Sequence, residues 1–188
     1  MTAVKALLVD LDGTLVETNE ANRAAYSEAL RPHGITIDER WWKANAVGRH
    51  WSGFLPLLLP NAERVELQAI AARKTEIYPE FLDKTVINKP LVAWIVASRP
   101  ALRTALVTTA SRASATAVLR CHGLSDLFDE TVCGDEVTAP KPAPEAYDVA
   151  ARRLGVSAGA CLVVEDSEVG AAAAKAFGAP CVLVRFGS

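Results

Sequence analysis

The segment that most constrains this chain runs from residue 6 to residue 15 and reads A-L-L-V-D-L-D-G-T-L. Its four leading apolar residues are typical of a strand that is buried on both faces of a parallel sheet. Asp10 and Asp12 follow at alternate positions, and Gly13 then permits a tight turn. Because ligands bind beyond the carboxyl ends of strands in open α/β sheets, we expect both aspartates at a site. Alternating acids also occur in plain turns, so the interpretation depends on polar residues at later strand ends.

Length and composition indicate an ordinary soluble globular protein with one domain and a modest insertion. The chain has 188 residues, of which 51% are hydrophobic and 22% are charged, and its formal net charge is -2 at pH 7. This charge provides no basic surface, so we expect no nucleic acid as a partner. No apolar run reaches the length of a membrane span, and the N-terminus leaves no room for a signal peptide. We therefore expect no membrane association.

The cysteines and histidines favour neither a zinc site nor a disulfide framework. They are dispersed, and no C-x-x-C pair is present. We expect reduced, mostly buried thiols in a cytoplasmic protein, and any metal should be a hard cation bound by oxygen. The cysteines are Cys121, Cys133, Cys161 and Cys181.

Residues 16–84 predict a helical block without a strand. Residues 19–30 carry apolar side chains at helical spacing, Asp38 is suited to cap a second helix, and residues 62–78 suggest a longer amphipathic helix. Residues 51–59 are interrupted by prolines and favour a short helix or a turn. Because the block follows the acidic loop directly, it is placed to act as a lid over the site.

From residue 90 onward the pattern alternates between helix and strand, which is typical of parallel strands joined by right-handed crossovers. We predict an α/β fold with a Rossmann-like parallel sheet, helices on both of its faces, and a small all-helical cap inserted after strand 1. The core would comprise residues 1–15 and 85–188, and the cap residues 16–84. The predicted strands are 105–109, 130–133, 161–164 and 181–184, and the predicted helices are 91–97, 111–122, 144–154 and 168–177.

Two later segments place a polar residue beside the start of a predicted helix. Thr109 ends a strand, and its hydroxyl with the following backbone N–H groups, from Ala110 onward, can bind a phosphoryl oxygen. Thr108, one residue earlier, is the alternative to Thr109 in this role. Lys141 lies between two prolines that restrict its loop, where a fixed ammonium can neutralise a carboxylate and a phosphate together. The alternative interpretations are that Thr109 only caps the next helix and that Lys141 is an ordinary solvated charge.

A third segment follows the strand at 161–164 with two adjacent acids, Glu165 and Asp166. Such acids can cap the next helix. Their occurrence together with Asp10 and Asp12 favours a hard-cation site, because Mg²⁺ takes about six oxygen ligands in octahedral geometry.

The motifs D-L-D-G-T-L, V-T-T-A-S, K-P-A-P-E and V-E-D-S-E-V-G-A-A-A-A resemble, in order and approximate spacing, those of the haloacid dehalogenase superfamily. The helical block after the first motif is similar to the cap of the β-phosphoglucomutase and phosphoglycolate phosphatase branch. The resemblance implies a Mg²⁺-dependent phosphatase. It would hydrolyse a small phosphorylated metabolite, such as a sugar phosphate or a phosphoglycolate-like compound, through an aspartyl-phosphate intermediate. A sugar phosphomutase of the β-phosphoglucomutase type is the alternative.

The resemblance also implies roles for individual residues. Asp10 would be the nucleophile and Asp12 the general acid and base. The phosphate-binding residues would be Thr109, Ala110 and Lys141. The Mg²⁺ ligands would be Asp10, the backbone carbonyl of Asp12 and Asp166, with Glu165 near the metal and often acting through water.

Two basic cap residues, Arg49 and Lys74, match cap positions of this branch, which implies contacts with the substrate. Solvated charges fit the same positions equally well. Asn22 stands where the mutase has a histidine, which counts against the mutase. Hydrolytic dehalogenation is disfavoured by Asp12, and a catalytically silent binding protein by the intact set of acids. The chain ends soon after its last predicted strand, so the expected assembly is a monomer or a homodimer formed at an exposed sheet edge.

Overall fold

The computed structural model describes residues 3–186 and alternates strands with helices. The strands are β1 (Ala6–Val9), β2 (Val16–Glu17), β3 (Val86–Ile87), β4 (Arg103–Val107), β5 (Glu130–Val132), β6 (Cys161–Glu165) and β7 (Cys181–Leu183). The α-helices are α1 (Asn19–Leu30), α2 (Glu39–Asn45), α3 (Leu55–Leu58), α4 (Arg64–Ile77), α5 (Lys89–Ser98), α6 (Arg112–Cys121), α7 (Glu145–Leu154) and α8 (Glu168–Phe177). Short 3₁₀ turns occupy Arg31–His33, Trp51–Gly53, Tyr78–Lys84, Gly134–Glu136 and Ala158–Ala160.

Five strands form one parallel sheet in the order β5-β4-β1-β6-β7, with β1 at its centre. Val9, the last residue of β1, lies opposite Leu106 of β4 and Val164 of β6. All four residues of β1 are fully buried, as a short apolar run between two neighbouring strands requires. This arrangement confirms the predicted α/β fold and places the carboxyl end of β1 at the middle of the sheet.

The side chains of β1 alternate between two apolar layers, which shows that helices cover both faces of the sheet. Leu7 and Val9 belong to a cluster that includes Ile95 of α5 and Val118 of α6. The other side chains of β1 contact a second cluster that includes Tyr147 of α7 and residues of α8. Helices on both faces are therefore confirmed.

The helical block is held together by an aromatic cluster. The ring centroid of Tyr26 in α1 lies 5.9 Å from that of Trp42 in α2 and 5.0 Å from that of Phe54. Tilted and edge-on aromatic pairs at these separations contribute about 0.5 to 1.5 kcal/mol each beyond the burial of their surface. The predicted helix 19–30 and the Asp38 cap are confirmed, because the Asp38 carboxylate accepts a hydrogen bond from the Trp41 N–H.

One element was not expected in this region. Residues 16–84 were predicted to contain no strand, but β2 pairs with β3 in an antiparallel ribbon, with Val16 opposite Ile87. Each strand has only two residues, which is too short to produce an alternating pattern in the sequence. The ribbon exists because the chain leaving the sheet and the chain returning to it lie side by side.

Several element ends also differ from the predictions. The strand predicted at 105–109 comprises Arg103–Val107, so Thr109 lies two residues beyond it. The helix predicted at 91–97 begins at Lys89, since the Asn88 side chain accepts the Leu91 N–H and Pro90 fits a first turn. Glu165 belongs to β6 rather than following it. The helix predicted at 168–177 has these bounds.

Three of the four cysteines are buried or half-buried, and Cys121 is exposed. Mostly buried thiols were predicted, and Cys121, the last residue of α6, is the exception. Within residues 3–186, no pair of cysteines forms a disulfide. No helix in the same part of the chain combines the length and the apolar character that crossing a bilayer requires.

Candidate active site

Side chains from three distant segments meet at the carboxyl ends of β1 and β6. Asp10 follows β1, Lys141 lies in the loop before α7, and Glu165 is the last residue of β6. The Lys141 Nζ lies 2.7 Å from the Asp10 Oδ1 and 2.5 Å from the Glu165 Oε1. The structure therefore brings Lys141 into contact with a residue 131 positions away, Asp10, and with another 24 positions away, Glu165.

Lys141 is held as a fully paired ammonium. Its third hydrogen bond goes to the backbone carbonyl of Val107, at 2.9 Å. The Lys141 side chain is only 2% exposed. Burial opposes its charged form, but the negative charges of Asp10 and Glu165 raise the pKa of Lys141 well above its usual value. Lys141 is therefore a fixed positive charge rather than a proton donor at neutral pH.

Glu165 is held in place by donors that sequence reasoning missed. The Tyr147 hydroxyl donates to the Glu165 Oε1 at 2.8 Å, and the Ser167 hydroxyl donates to its Oε2 at 3.1 Å. Burial alone would raise the pKa of Glu165. The charge and hydrogen bond of Lys141 outweigh that effect, so the pKa of Glu165 is lower than its usual value. Tyr147 lies six residues after Lys141 in an amphipathic helix, and its apolar spacing gave no sign of this polar contact.

Asp166 joins Asp10 and Glu165 in a cluster of acids. One carboxylate oxygen of each residue lies within 4.8 Å of the others. Burial, followed by the charge of Glu165, raises the pKa of Asp10 well above its usual value and that of Asp166 to about 6. Three carboxylates with one lysine among them leave excess negative charge, and an all-oxygen set of ligands suits Mg²⁺. The chemistry of these residues therefore fits a divalent hard cation.

This excess charge predicts how stability depends on pH in the metal-free protein. Asp10 and Asp166 release their protons at higher pH when folded than when unfolded, and for Asp166 the folded state binds more protons between about pH 4 and 6. The free energy of unfolding in EDTA should therefore fall, by about 1 to 2 kcal/mol after solvent screening, as the pH rises from 5 to 7.5. Urea titrations would measure the change, with Asp166→Asn as the control that reduces it. An unfolding free energy that rises over this range would contradict the assignment.

Gly13 allows the first acidic loop to approach Asp166. Its φ is +82°, and a Cβ added there would overlap the Asp166 carboxylate. Only glycine combines this left-handed conformation with the missing side chain. The spacing between the first and fourth motifs is therefore fixed partly by this residue.

Gly13→Ala should displace Asp166 as well as strain the backbone. Gly34→Ala is the matched control, because Gly34 also has a positive φ, +69°, but has open space around the added Cβ. We expect the control to cost about 1 to 2 kcal/mol in unfolding free energy with activity retained. Gly13→Ala should cost more and lower phosphate release by about 10²-fold, the usual effect of misplacing a catalytic group. Equal activities of the two variants would show that the contact with Asp166 is unimportant.

Asp12 is held by three neutral donors at the entrance to the site. Its Oδ1 accepts from the Thr18 hydroxyl at 2.5 Å and from the Asn22 Nδ2 at 2.9 Å. Its Oδ2 accepts from the Thr108 hydroxyl at 3.2 Å. Sequence reasoning missed Thr18 as a partner. Thr108 was predicted only as an alternative to Thr109. The spacing of residues in the sequence does not determine how this loop folds or which way its side chains point.

Thr109 and Ala110 line the same cavity as Asp10, whereas the buried Thr108 faces Asp12. The loop is fixed by Gly134, whose N–H donates to the Ala110 carbonyl at 2.8 Å. A Cβ on Gly134 would overlap the Thr109 carbonyl. The phosphate-binding role of Thr109 and Ala110 stays a prediction.

The cavity has a volume of about 380 Å³ and lies between the sheet and the helical block. Arg49 lines it from the turn that follows Gly48, and a Cβ on Gly48 would lie 2.8 Å from the Ser167 side chain. Lys74 lines it from α4, whereas its neighbour Arg73 is exposed and pairs with a surface glutamate. The structure thus brings both basic residues of the helical block, Arg49 and Lys74, to the cavity, and their roles stay predictions.

Lys74 is buried, contrary to the alternative that it is a solvated charge. It is 5% exposed, and its Nζ lies 3.8 Å from the ring centroid of Tyr78 and 5.2 Å from that of Tyr26. Burial lowers the pKa of Lys74 to about 8, although the charge of Asp12 opposes the change. A lysine in this state is partly neutral near physiological pH.

Comparisons with known proteins agree with this arrangement. A family model described as haloacid dehalogenase-like hydrolase matches residues 4–178. The fructose-1-phosphate phosphatase YqaB of Escherichia coli (strain K12) is 33% identical over 180 residues, which cover 95% of each chain. A plasmid-encoded phosphoglycolate phosphatase of Cupriavidus necator is 33% identical over 187 residues, covering 97% of this chain and 81% of the relative.

A solved structure gives the same result for the fold. The crystal structure of CbbY from Rhodobacter sphaeroides in complex with phosphate has a TM-score of 0.87 and 27% sequence identity. The match covers 97% of this chain and 86% of CbbY. The match thus covers both the sheet and the helical block of this chain.

Proposed function

We propose, from the premise that this chain is a phosphatase of the haloacid dehalogenase-like hydrolase family, that it dephosphorylates a small phosphorylated metabolite through an aspartyl-phosphate intermediate. Family membership confirms the resemblance inferred from the four motifs. The observation that carries the proposal is the buried contact of Lys141 with Asp10 and Glu165, beside the carboxylate of Asp166.

Asp10 is the proposed nucleophile. A carboxylate is repelled by an anionic phosphate, so its charge must be offset before it can attack phosphorus. Lys141 offsets part of that charge and fixes the Asp10 side chain at 2.7 Å. The loop at Thr109 and Ala110, which lines the same cavity, would bind the phosphoryl oxygens.

The remaining negative charge of the three carboxylates favours a bound divalent cation. Mg²⁺ would be held by Asp10, Asp166 and the backbone carbonyl of Asp12, with Glu165 contributing through water. When bound, Mg²⁺ supplies positive charge that stabilises the transferring phosphoryl group. Glu165 fits an outer role because its two oxygens already accept from Lys141, Tyr147 and Ser167.

Asp12 is the proposed general acid and base. In its protonated form it would donate to the departing alkoxide, and as a carboxylate it would accept a proton from the water that hydrolyses the aspartyl-phosphate. The donors Thr18, Asn22 and Thr108 hold both of its oxygens and so orient it toward the cavity.

The proposed substrate class is a sugar phosphate or a phosphoglycolate-like compound. A cavity of about 380 Å³ suits a small metabolite, and Arg49 and Lys74 supply positive charge at its cap side. YqaB and the C. necator enzyme are named for substrates of this size.

We also propose the division into a core, residues 1–15 and 85–188, and a helical cap, residues 16–84. The β2–β3 ribbon links the two connections between them, so the cap would move as one body over the site.

We further propose that the protein is a cytoplasmic monomer or homodimer without nucleic-acid partners. The unpaired thiols support a reducing compartment, and Val182 and Leu183 are exposed on the edge strand β7.

The proposed function is tested by measuring inorganic phosphate released from a panel of phosphorylated sugars and short phosphorylated acids. We expect release with Mg²⁺, loss in EDTA, and recovery when Mg²⁺ is added in excess. Isomerisation of a sugar phosphate without net release of phosphate would instead favour the phosphomutase. Release that is indifferent to EDTA would contradict the metal site.

A further inference from the structure

Lys74 differs from Lys141, the other buried lysine of the site. Lys141 touches two carboxylates, but among residues 3–186 no carboxylate lies within 4.0 Å of the Lys74 Nζ, and no hydrogen bond joins it to that part of the chain. Its neighbours are the rings of Tyr26 and Tyr78. An aromatic face offsets only part of the cost of burying an ammonium. Lys74 therefore loses its proton more readily than an exposed lysine does, and its neutral amine becomes a substantial fraction at mildly alkaline pH.

A neutral amine is a nucleophile toward carbonyl carbon. The charged and titratable groups around Lys74 come from several elements, and only one acid, Asp12, acts on it appreciably. Tyr26 and Tyr78 are themselves kept protonated, since burial raises the pKa of both phenols. The other ionisable residues that line the same cavity are Asp10, Arg49, His50, Asp135, Lys141 and Glu165.

The position of Lys74 determines which carbonyl compounds can reach it. It lines the cavity that also contains Asp10, Thr109 and Lys141, where the proposed function places a phosphate group. A ligand with a phosphate monoester at one end and an aldehyde at the other can occupy both places. A ligand with an aldehyde alone lacks the interaction that would hold it there.

We propose that Lys74 is a covalent capture site for phosphorylated aldehydes, which it binds reversibly as an imine. The Nζ adds to the carbonyl carbon to form a C–N bond, the carbonyl oxygen leaves as water with the two amine protons, and a C=N bond results. No electrons are gained or lost, and hydrolysis regenerates both partners. The selectivity for phosphate rests on the proposed function, but the capture needs no turnover.

The test uses pyridoxal 5′-phosphate as the probe and sodium borohydride to reduce the imine. The full chain carrying Asp10→Asn is used beside the unsubstituted protein, so that the probe is not hydrolysed. Peptide mass spectrometry then measures labelling at each lysine. Lys43 is an internal control, because it is exposed in the same helical block and pairs with Glu39 at 2.6 Å. Lys141 is a second control, buried but fully paired.

We expect Lys74 to be labelled at least about tenfold faster than Lys43 at pH 8, because an ordinary lysine is almost fully protonated there. Lys141 should stay unlabelled, Lys74→Arg should remove the main label while keeping the positive charge, and inorganic phosphate should slow labelling. Pyridoxal without its phosphate should react at least about tenfold more slowly at Lys74, as it lacks the anchoring group.

Labelling of Lys74 no faster than that of Lys43, or equally fast by pyridoxal, would overturn the proposal. The readout is a mass rather than a rate of catalysis, so it is independent of the phosphatase assay. If the panel released no phosphate but Lys74 were labelled selectively, the proposed function would fail and the capture site would stand. Circular dichroism of Lys74→Arg would verify that the variant is folded.

Discussion

Asp10→Asn is expected to lower phosphate release by more than about 10⁴-fold, the upper end of what a general acid contributes. The amide has no negative charge with which to attack phosphorus, and no other carboxylate can replace it. The Asp12 carboxylate is fixed in its own position by three donors, and Glu165 is occupied by Lys141 and Tyr147. Release of inorganic phosphate from the best substrate of the panel, with Mg²⁺ in excess, measures the effect.

The same variant should stay folded, which separates a chemical loss from a structural one. The substitution removes one of three crowded carboxylates, so the burial of a charge and the repulsion by Glu165, which together raise the pKa of Asp10, no longer act. Without metal, the melting temperature of Asp10→Asn should equal or exceed that of the unsubstituted protein. Activity near the original level would refute the nucleophile, whereas a large fall in melting temperature would show that the side chain is mainly structural.

Lys141→Met is expected to destabilise the fold by about 3 to 5 kcal/mol, as removing one partner of a buried ion pair usually does. Lys141, Asp10 and Glu165 are 5%, 7% and 1% exposed, so water cannot replace the lost ammonium. Two carboxylates would be left close together without a counter-charge. Phosphate release should fall as well, since nothing would then offset the charge of the nucleophile.

The matched control is Lys43→Met. Lys43 also contacts a carboxylate, Glu39, at 2.6 Å, but both side chains are more than two-thirds exposed. Exposed pairs contribute about 0 to 1 kcal/mol, so the control should change the unfolding free energy little. Urea titrations of both variants give the comparison, and similar small losses would mean that Lys141 is not needed to hold the two acids.

The pH dependence of Lys141→Met gives a second readout. Without the ammonium, the pKa values of Asp10 and Glu165 should both lie higher when folded than when unfolded, so the folded state takes up protons as the pH falls. The unfolding free energy of Lys141→Met should therefore recover in part as the pH is lowered from 8 to 5. A loss that is the same at both values would point to a packing defect instead.

Much of the architecture was available from local patterns. The helix at 168–177 and the helix at 19–30 were predicted with the bounds that the structure gives, because apolar spacing and glycine stops are local signals. Strand β1 was predicted in the same way, and the alternation of predicted strands and helices predicted a parallel sheet. The two-residue strands of the β2–β3 ribbon carry no such signal, and they were missed.

The sequence alone determined which chemical groups are available and in which order they follow the strands: Asp10, then Thr109, Lys141 and Asp166. Only the tertiary structure decided that Lys141 lies between Asp10 and Glu165, that Lys74 points inward while Arg73 points out, and that Tyr147 and Thr18 serve as donors. The reason is physical. Hydrophobic spacing is imposed by neighbours in the chain, whereas the direction, burial and pairing of a polar side chain depend on segments that become neighbours only after folding.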